Sequence, residues 1–68
     1  MKRIVIIEDQ TAVREMIAAL LRTDPGYEIV GEAGDGQAGV EVCLATTPDI
    51  AVLDDIHGQT IHFSEIGH

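Results

Sequence analysis

The sequence predicts a small α/β fold of order βαβαβ, with a parallel sheet whose strand order is 2-1-3. Three observations predict it: short apolar runs without alternation, segments of helical periodicity between them, and turn residues at the boundaries. Uninterrupted apolar runs are typical of parallel strands that are covered on both faces. Strands that alternate with helices form right-handed crossover units, and we expect the first strand to lie between the other two.

The first strand and the first helix follow from residue type and spacing. Ile4 to Ile7 is β-branched throughout, as strands prefer, and ends on Glu8-Asp9. From Thr11 to Arg22, apolar residues recur at intervals of three and four, which predicts one buried helical face. That face consists of Val13, Met16, Ile17, Leu20 and Leu21. Candidate cap residues at the start of the helix are Asp9, Gln10 and Thr11.

The second strand and the second helix are separated by a glycine-rich turn. Tyr27 to Ala33 alternates with period two, which indicates a half-exposed strand at an edge of the sheet. Asp35 can cap the helix that follows, and one side of this helix carries Gly39, Val40, Cys43 and Leu44. A glycine costs a helix up to about 1 kcal/mol relative to alanine. We therefore expect the backbone at Gly39 to lie close to a neighbour.

The third strand, Ile50 to Leu53, ends on Asp54-Asp55, and the pattern weakens after it. Beyond Ile56 there is no helical face, and Thr60 to Phe63 predicts only a short strand. We interpret residues 1–56 as one domain and residues 57–68 as a tail of unknown conformation. The tail histidines His57, His62 and His68 could ligate a transition metal, but their spacing fits no standard zinc pattern, which favours a solvated tail.

Length and charge limit the possible partners. A chain of 68 residues allows one domain, and at about 60 residues only roughly 60% of the unfolded surface is buried, so a partner surface is expected. The net charge is -8, and no Lys or Arg follows Arg22. Nucleic acids and anionic membranes both require clustered cations. This segment is therefore expected to bind neither.

Cysteine content and hydropathy indicate a cytoplasmic, soluble chain. The single cysteine, Cys43, cannot form an internal disulfide and is expected to pack as a small hydrophobe. No leader-like segment precedes the fold, and the apolar runs are far shorter than the roughly 20 residues that span a bilayer.

Acidic residues end the first and third predicted strands. The carboxyl ends of neighbouring parallel strands lie side by side, about 4.8 Å apart, so Glu8, Asp9 and Asp54 are expected to converge. Such carboxylates repel one another unless a cation neutralises them, and hard oxygen ligands suit Mg²⁺. A carboxylate beside Mg²⁺ can act as a nucleophile toward phosphorus. Spacing alone leaves a second interpretation open, in which Asp9 only caps a helix and Asp54-Asp55 only end a strand.

The residues also match a known family. The matching segments are Ile4 to Asp9, Val13-Arg14-Glu15, Val30 to Ala33, Asp35-Gly36 and Pro48 to Asp54. In this order and spacing they resemble the receiver domain of two-component response regulators, most closely regulators with a LuxR-type helix-turn-helix. The resemblance covers about residues 2–55 and implies a flavodoxin-like half-domain phosphorylated by a histidine kinase at Asp54 rather than Asp55. It also implies a Mg²⁺ site formed by Glu8, Asp9, Asp54 and the backbone carbonyl of Ile56.

The departures from the family pattern concern the end of the chain. The segment Ile56 to Gln59 does not fit, and the later strands that bring a Ser or Thr and a Lys to the family's site have no counterpart. Neither Lys2, at the opposite end of the sheet, nor Arg14, a turn into the first helix, is expected to replace that Lys. We interpret the chain as a truncated receiver with impaired phosphoryl acceptance, a signalling domain rather than an enzyme.

A second function remains open at this point. The chain could be an inert half-receiver that acts as a self-associating structural module, which we expect to be a homodimer. Without a fourth strand, the edge of Ile50 to Leu53 would be open and could pair with a second copy. Exchange of the tail between two copies would serve the same purpose, and a closed twofold arrangement is the commonest for a homo-oligomer.

Overall fold

The computed structural model describes residues 1–54 and 61–65, with the backbone alone at 54 and 61–65. In chain order its elements are β1 (Lys2–Ile7), α1 (Thr11–Arg22), β2 (Tyr27–Ala33), α2 (Gly36–Thr46), β3 (Ile50–Asp54) and β4 (Ile61–Glu65). The strands form one sheet of order β2-β1-β3-β4. Strand β1 pairs in parallel with both β2 and β3, which confirms the predicted βαβαβ fold and its 2-1-3 order.

The core is centred on β1, the strand with a parallel neighbour on each side. Ile4, Val5 and Ile6 are fully buried, as is Val52 on β3. Helix α1 contributes Ile17 and Ala18 to the same cluster as Ile4, Ile6 and Val52. These side chains are aliphatic, as expected for a sequence with 3% aromatic residues. Within the described residues, no helix is long and apolar enough to cross a bilayer.

Helix α1 packs through most of the predicted face: Ile17 is buried in the core, and Val13 and Leu21 pack against it. The prediction placed Met16 and Leu20 inside, but their side chains are 52% and 63% exposed. The packed face also includes two residues outside the prediction, buried Ala18 and half-buried Arg14. The small Ala18 side chain allows the helix to lie close to the sheet, and Arg14 is held toward the sheet by its hydrogen bond to the Glu8 carbonyl.

Helix α2 approaches the sheet closely at two glycines, Gly39 on the helix and Gly31 on β2. Gly39 is buried, but Val40 and Leu44, which the sequence places on the same side of the helix, are 59% and 76% exposed. A Cβ at Gly39 would lie 2.6 Å from Ile7 Cδ1, and one at Gly31 would overlap Val42 Cγ1. These close approaches confirm the expectation for Gly39 and bring Val42, rather than Val40, over the sheet.

The amino edge of the sheet is closed by contacts that place the start of β3. The Arg3 backbone N–H donates to Asp49 Oδ2 at 2.9 Å, and the Asp49 N–H donates to the Arg3 carbonyl at 2.8 Å. The Arg3 guanidinium donates to the Thr47 carbonyl at 2.9 Å. These bonds join β1 to the turn before β3, and so they help to set the register that brings Asp54 to the opposite edge.

Strand β4 covers an edge that was predicted to be open. It pairs antiparallel with β3, from Ile50 opposite Glu65 to Asp54 opposite Ile61. The expectation that the β3 edge is free to pair with a second copy is therefore wrong: a segment of the predicted tail supplies the hydrogen-bonding partner. The short strand predicted from Thr60 to Phe63 overlaps β4, and β2 lies at the other edge as predicted. Exchange of the tail between copies stays a prediction.

Candidate functional site at the carboxyl edge of the sheet

The register of the sheet brings the carboxyl ends of β1 and β3 together. We call this end of the sheet, where the parallel strands finish, the carboxyl edge. Ile7 pairs with Leu53 in the parallel ladder, so the next residues along the two strands are Glu8 and Asp54. Neighbouring strands lie about 4.8 Å apart. The backbone positions of these two predicted site residues are therefore adjacent, as the strand order required. The side chain of Asp54 lies outside the described part of the structure.

Glu8 is held firmly at this edge. Its side chain is the buried acidic one of the described region, with the residue only 4% exposed. The Gln10 backbone N–H donates to Glu8 Oε1 at 2.9 Å, which orients the carboxyl group. The Glu8 N–H donates to the Ala33 carbonyl at 2.9 Å, which ties this residue to the end of β2. A buried carboxylate requires such compensation because burial penalises its charge.

Asp9 lies beside Glu8 but in a different environment. It is exposed, in the bend between β1 and α1. Of the three candidate cap residues, Gln10 holds the cap position of α1, although its side chain makes no capping hydrogen bond, so the interpretation of Asp9 as the cap is wrong. The cap predicted for α2 is confirmed: Asp35 Oδ1 accepts a hydrogen bond from the Ala38 N–H at 2.7 Å. Asp9 thus presents a carboxylate to solvent at the carboxyl edge.

Arg14 reaches this edge as well, which the sequence interpretation missed. Its Nη1 donates to the Glu8 carbonyl at 2.7 Å, and its Nε lies 3.6 Å from Glu32 Oε1 on β2. Helical side chains lean toward the N-terminus of their helix, so an arginine in the first turn of α1 can reach back to the end of β1. The place of Arg14 in the first turn of α1 was therefore the sequence feature that could have predicted this contact.

The donor set can be compared with what Mg²⁺ requires. Mg²⁺ prefers oxygen ligands, often one or two protein carboxylates completed by water and phosphate. The buried Glu8 carboxyl group and the exposed Asp9 carboxylate provide donors of this type, next to the end of β3. Among the described side chains, no three His, Cys, Asp or Glu residues are grouped as a complete metal cage. The residues present therefore fit an incomplete, partly hydrated Mg²⁺ site better than a transition-metal site.

Several predicted site groups fall outside the described residues. These are the Ile56 carbonyl, Asp55, and the side chains of His57, His62 and His68. Cys43 is a free, half-buried cysteine on α2.

Comparison with known proteins gives homologues among transcriptional regulatory proteins and protein-glutamate methylesterases. The chain is 47% identical over 53 residues to the transcriptional regulatory protein PdtaR of Mycobacterium tuberculosis. It is 39% identical over 54 residues to the transcriptional regulatory protein LiaR of Bacillus subtilis. It is 44% identical over 52 residues to a protein-glutamate methylesterase/protein-glutamine glutaminase of Anaeromyxobacter dehalogenans. No protein-family model matches the chain, and no solved structure matches it.

The matched segments cover much of this chain but little of each homologue. They make up 78%, 79% and 76% of the chain in these three comparisons, and 25%, 26% and 14% of the respective relatives. The matches lie in the N-terminal part of the chain, which contains Glu8, Asp9 and β1 to β3. They confirm the resemblance that the sequence motifs indicated.

Proposed function

Since this chain is a homologue of response regulators and carries the N-terminal part of a receiver domain, we propose that it accepts a phosphoryl group on Asp54. Glu8 and Asp9 hold the Mg²⁺ ion that the acceptance requires. The observation that carries the proposal is the pairing of Ile7 with Leu53, which makes Glu8 and Asp54 neighbours at the carboxyl edge. Ligands of open parallel sheets bind at that edge.

The chemistry is a phosphoryl transfer to a carboxylate. A carboxylate oxygen of Asp54 attacks phosphorus, a new P–O bond forms, and the bond between phosphorus and the donor breaks. With a phosphohistidine donor, the bond that breaks is P–N, and the released imidazole takes up a proton. Mg²⁺ offsets the negative charge on the transferring oxygens when it is bound. Glu8, buried and oriented by the Gln10 N–H, keeps a carboxyl group in place beside the acceptor.

The donor we propose is a histidine kinase, as the homology to response regulators implies. The net charge of -8 makes a nucleic-acid partner for this segment unfavourable. The matched segment makes up 25% and 26% of the two transcriptional regulatory proteins, so the proposal concerns only phosphoryl acceptance.

Phosphoryl acceptance can be tested with a small donor. After incubation with acetyl phosphate and Mg²⁺, intact mass spectrometry is expected to detect one added phosphoryl group per chain. Replacing Mg²⁺ with EDTA is expected to remove the adduct, because the acidic edge would then repel the phosphate. A full receiver domain treated in parallel serves as the positive control. If that control is labelled and this chain is not, the proposal is wrong.

A second candidate function is self-association into a homodimer. The observation that favours it is the exposure of large apolar side chains on both helices: Met16 and Leu20 on α1, and Val40 and Leu44 on α2. Met16 and Leu20, and likewise Val40 and Leu44, lie one turn apart on one face of their helix, and exposed apolar surface marks interaction sites on soluble proteins. In this alternative the chain is an inert structural module, and its acidic edge has no role in phosphoryl transfer.

Dimerisation predicts a concentration-dependent mass. Light scattering at tens of micromolar is expected to give twice the chain mass, and Leu20→Glu or Leu44→Glu is expected to restore the monomer, depending on which helix forms the contact. A charge introduced at a contact that is buried in the dimer weakens dimerisation by several-fold or more. Ala45→Glu is the matched control beside Leu44, since it adds the same charge and removes little apolar area. A monomeric wild-type chain at all concentrations would exclude this function.

A further inference from the structure

Arg14 joins three parts of the carboxyl edge. Its Nη1 donates to the Glu8 carbonyl at 2.7 Å, at the end of β1. Its Nε faces Glu32 Oε1 on β2 at 3.6 Å, and its Nη2 lies 3.5 Å from Thr11 Oγ1 at the start of α1. The side chain is 20% exposed, and its bond to the Glu8 carbonyl is partly buried. A planar guanidinium with several donors can hold such partners at once, which an ammonium group cannot.

The contact with Glu8 is made to its backbone and leaves its carboxyl group to other partners. The carboxyl group is oriented separately, by the Gln10 N–H at 2.9 Å. Arg14 therefore does not neutralise the Glu8 carboxylate directly. It holds the peptide that carries the carboxylate, and the next residue along that peptide is Asp9.

We propose that Arg14 is a positioning residue for the Mg²⁺ site: its bond to the Glu8 carbonyl, anchored by Glu32, holds the Glu8-Asp9 segment in the geometry that binds the ion. This inference rests on the proposed function, because it concerns the same carboxylates. Residues that orient metal ligands without touching the metal typically change its affinity by about 10- to 100-fold when they are replaced. The resemblance to receiver domains assigns Arg14 no such role.

A simple charge effect predicts the opposite result. Arg14 is a cation near a site for a divalent cation, and like charges repel. If Arg14 acted only through its charge, removing it would strengthen Mg²⁺ binding. If it positions the ligands, removing it weakens Mg²⁺ binding. The direction of the change in Mg²⁺ affinity therefore distinguishes a charge effect from positioning of the ligands.

The test measures the dissociation constant of Mg²⁺ by isothermal titration calorimetry on the whole chain, with no phosphoryl donor present. Arg14→Gln is expected to weaken Mg²⁺ binding about 10-fold. Arg22→Gln is the matched control: Arg22 lies on the same helix, 4.0 Å from Glu32 Oε2, and its side chain is 64% exposed. It removes the same charge without touching Glu8, and we expect its Mg²⁺ affinity to equal or exceed that of the wild type.

Arg14→Lys keeps the positive charge and is the second variant. It tests whether Arg14 positions the ligands even if Arg14→Gln does not fold. Lysine can bond to the Glu8 carbonyl but cannot reach Glu32 and Thr11 at the same time, so we expect Mg²⁺ binding about three-fold weaker than wild type. If Arg14→Gln does not fold, as judged by circular dichroism, Arg14→Lys decides the question. Unchanged or tighter binding in a folded Arg14 variant overturns the inference alone. A wild-type chain that binds no Mg²⁺ overturns the proposed function and the inference together.

Discussion

Asp54→Asn is expected to abolish the phosphoryl adduct that acetyl phosphate and Mg²⁺ form on the wild-type chain. Asparagine has nearly the same shape as aspartate, but its amide group is not a nucleophile toward phosphorus. Removing the nucleophile removes the covalent step, so the loss should be at least about 100-fold. Intact mass spectrometry measures the labelled fraction, and circular dichroism shows whether the sheet is kept.

The adjacent carboxylate supplies the control for this experiment. Asp55→Asn removes the same negative charge at the next residue along the chain. We expect this variant to keep the phosphoryl adduct. The pairing of Ile7 with Leu53 brings Asp54 level with Glu8, one position ahead of Asp55 in the sequence. Loss of the adduct in Asp55→Asn, with retention in Asp54→Asn, would move the acceptor role to Asp55.

Gly39→Ala is expected to lower the free energy of unfolding by about 1–3 kcal/mol, the usual cost of overpacking a core. A methyl group at this position would lie 2.6 Å from Ile7 Cδ1, 2.9 Å from Ile7 Cγ1 and 3.3 Å from Ile7 Cγ2. Three atoms of one β-branched side chain on the central strand cannot all move away at low cost. For a domain of this size, each kcal/mol corresponds to about 4–8 °C in Tm.

Gly36→Ala is the matched control, because it makes the same change at the start of the same helix. Nothing lies within 4 Å of a Cβ at Gly36, so we expect this variant to be neutral or more stable by about 0.4–1 kcal/mol, through a less flexible unfolded chain. Thermal unfolding followed by circular dichroism compares the two. Ile7→Val removes Cδ1 and is expected to recover part of the loss in Gly39→Ala. Equal stability of the two alanine variants would contradict the packing argument.

The helices show how far sequence patterns can go. The periodic run from Thr11 to Arg22 predicted α1 with the bounds that it has, and Asp35 was correctly predicted to cap α2. The buried face of α1 was predicted only in part: Ile17 is buried, but Leu20 is exposed. Periodicity locates an apolar stripe, but the side that meets the sheet depends on which small residues allow close approach. Gly39 against Ile7 is such a contact, and it involves two elements.

In the candidate site, too, some features were predictable from the sequence and others depended on tertiary contacts. The adjacency of Glu8 and Asp54 was predictable, because parallel strands bring their carboxyl ends to one edge. The contact of Arg14 with the Glu8 carbonyl was not predicted, since it depends on the angle at which α1 leaves the sheet. The covering of β3 by β4 was missed for a related reason: Thr60 to Phe63 has a weak strand pattern, and an antiparallel return is stabilised by the hydrogen-bonding edge that it meets.

By itself, the sequence determined the order of elements from β1 to β3, the place of the acidic residues at the ends of the first and third strands, and the absence of basic residues after Arg22. These are properties of local pattern and composition. Only the tertiary structure decided which helix faces are buried, which cation reaches the acidic edge, and what pairs with β3. Each of these depends on contacts between residues that are distant in the chain, where packing volume and hydrogen-bond geometry outweigh local preference.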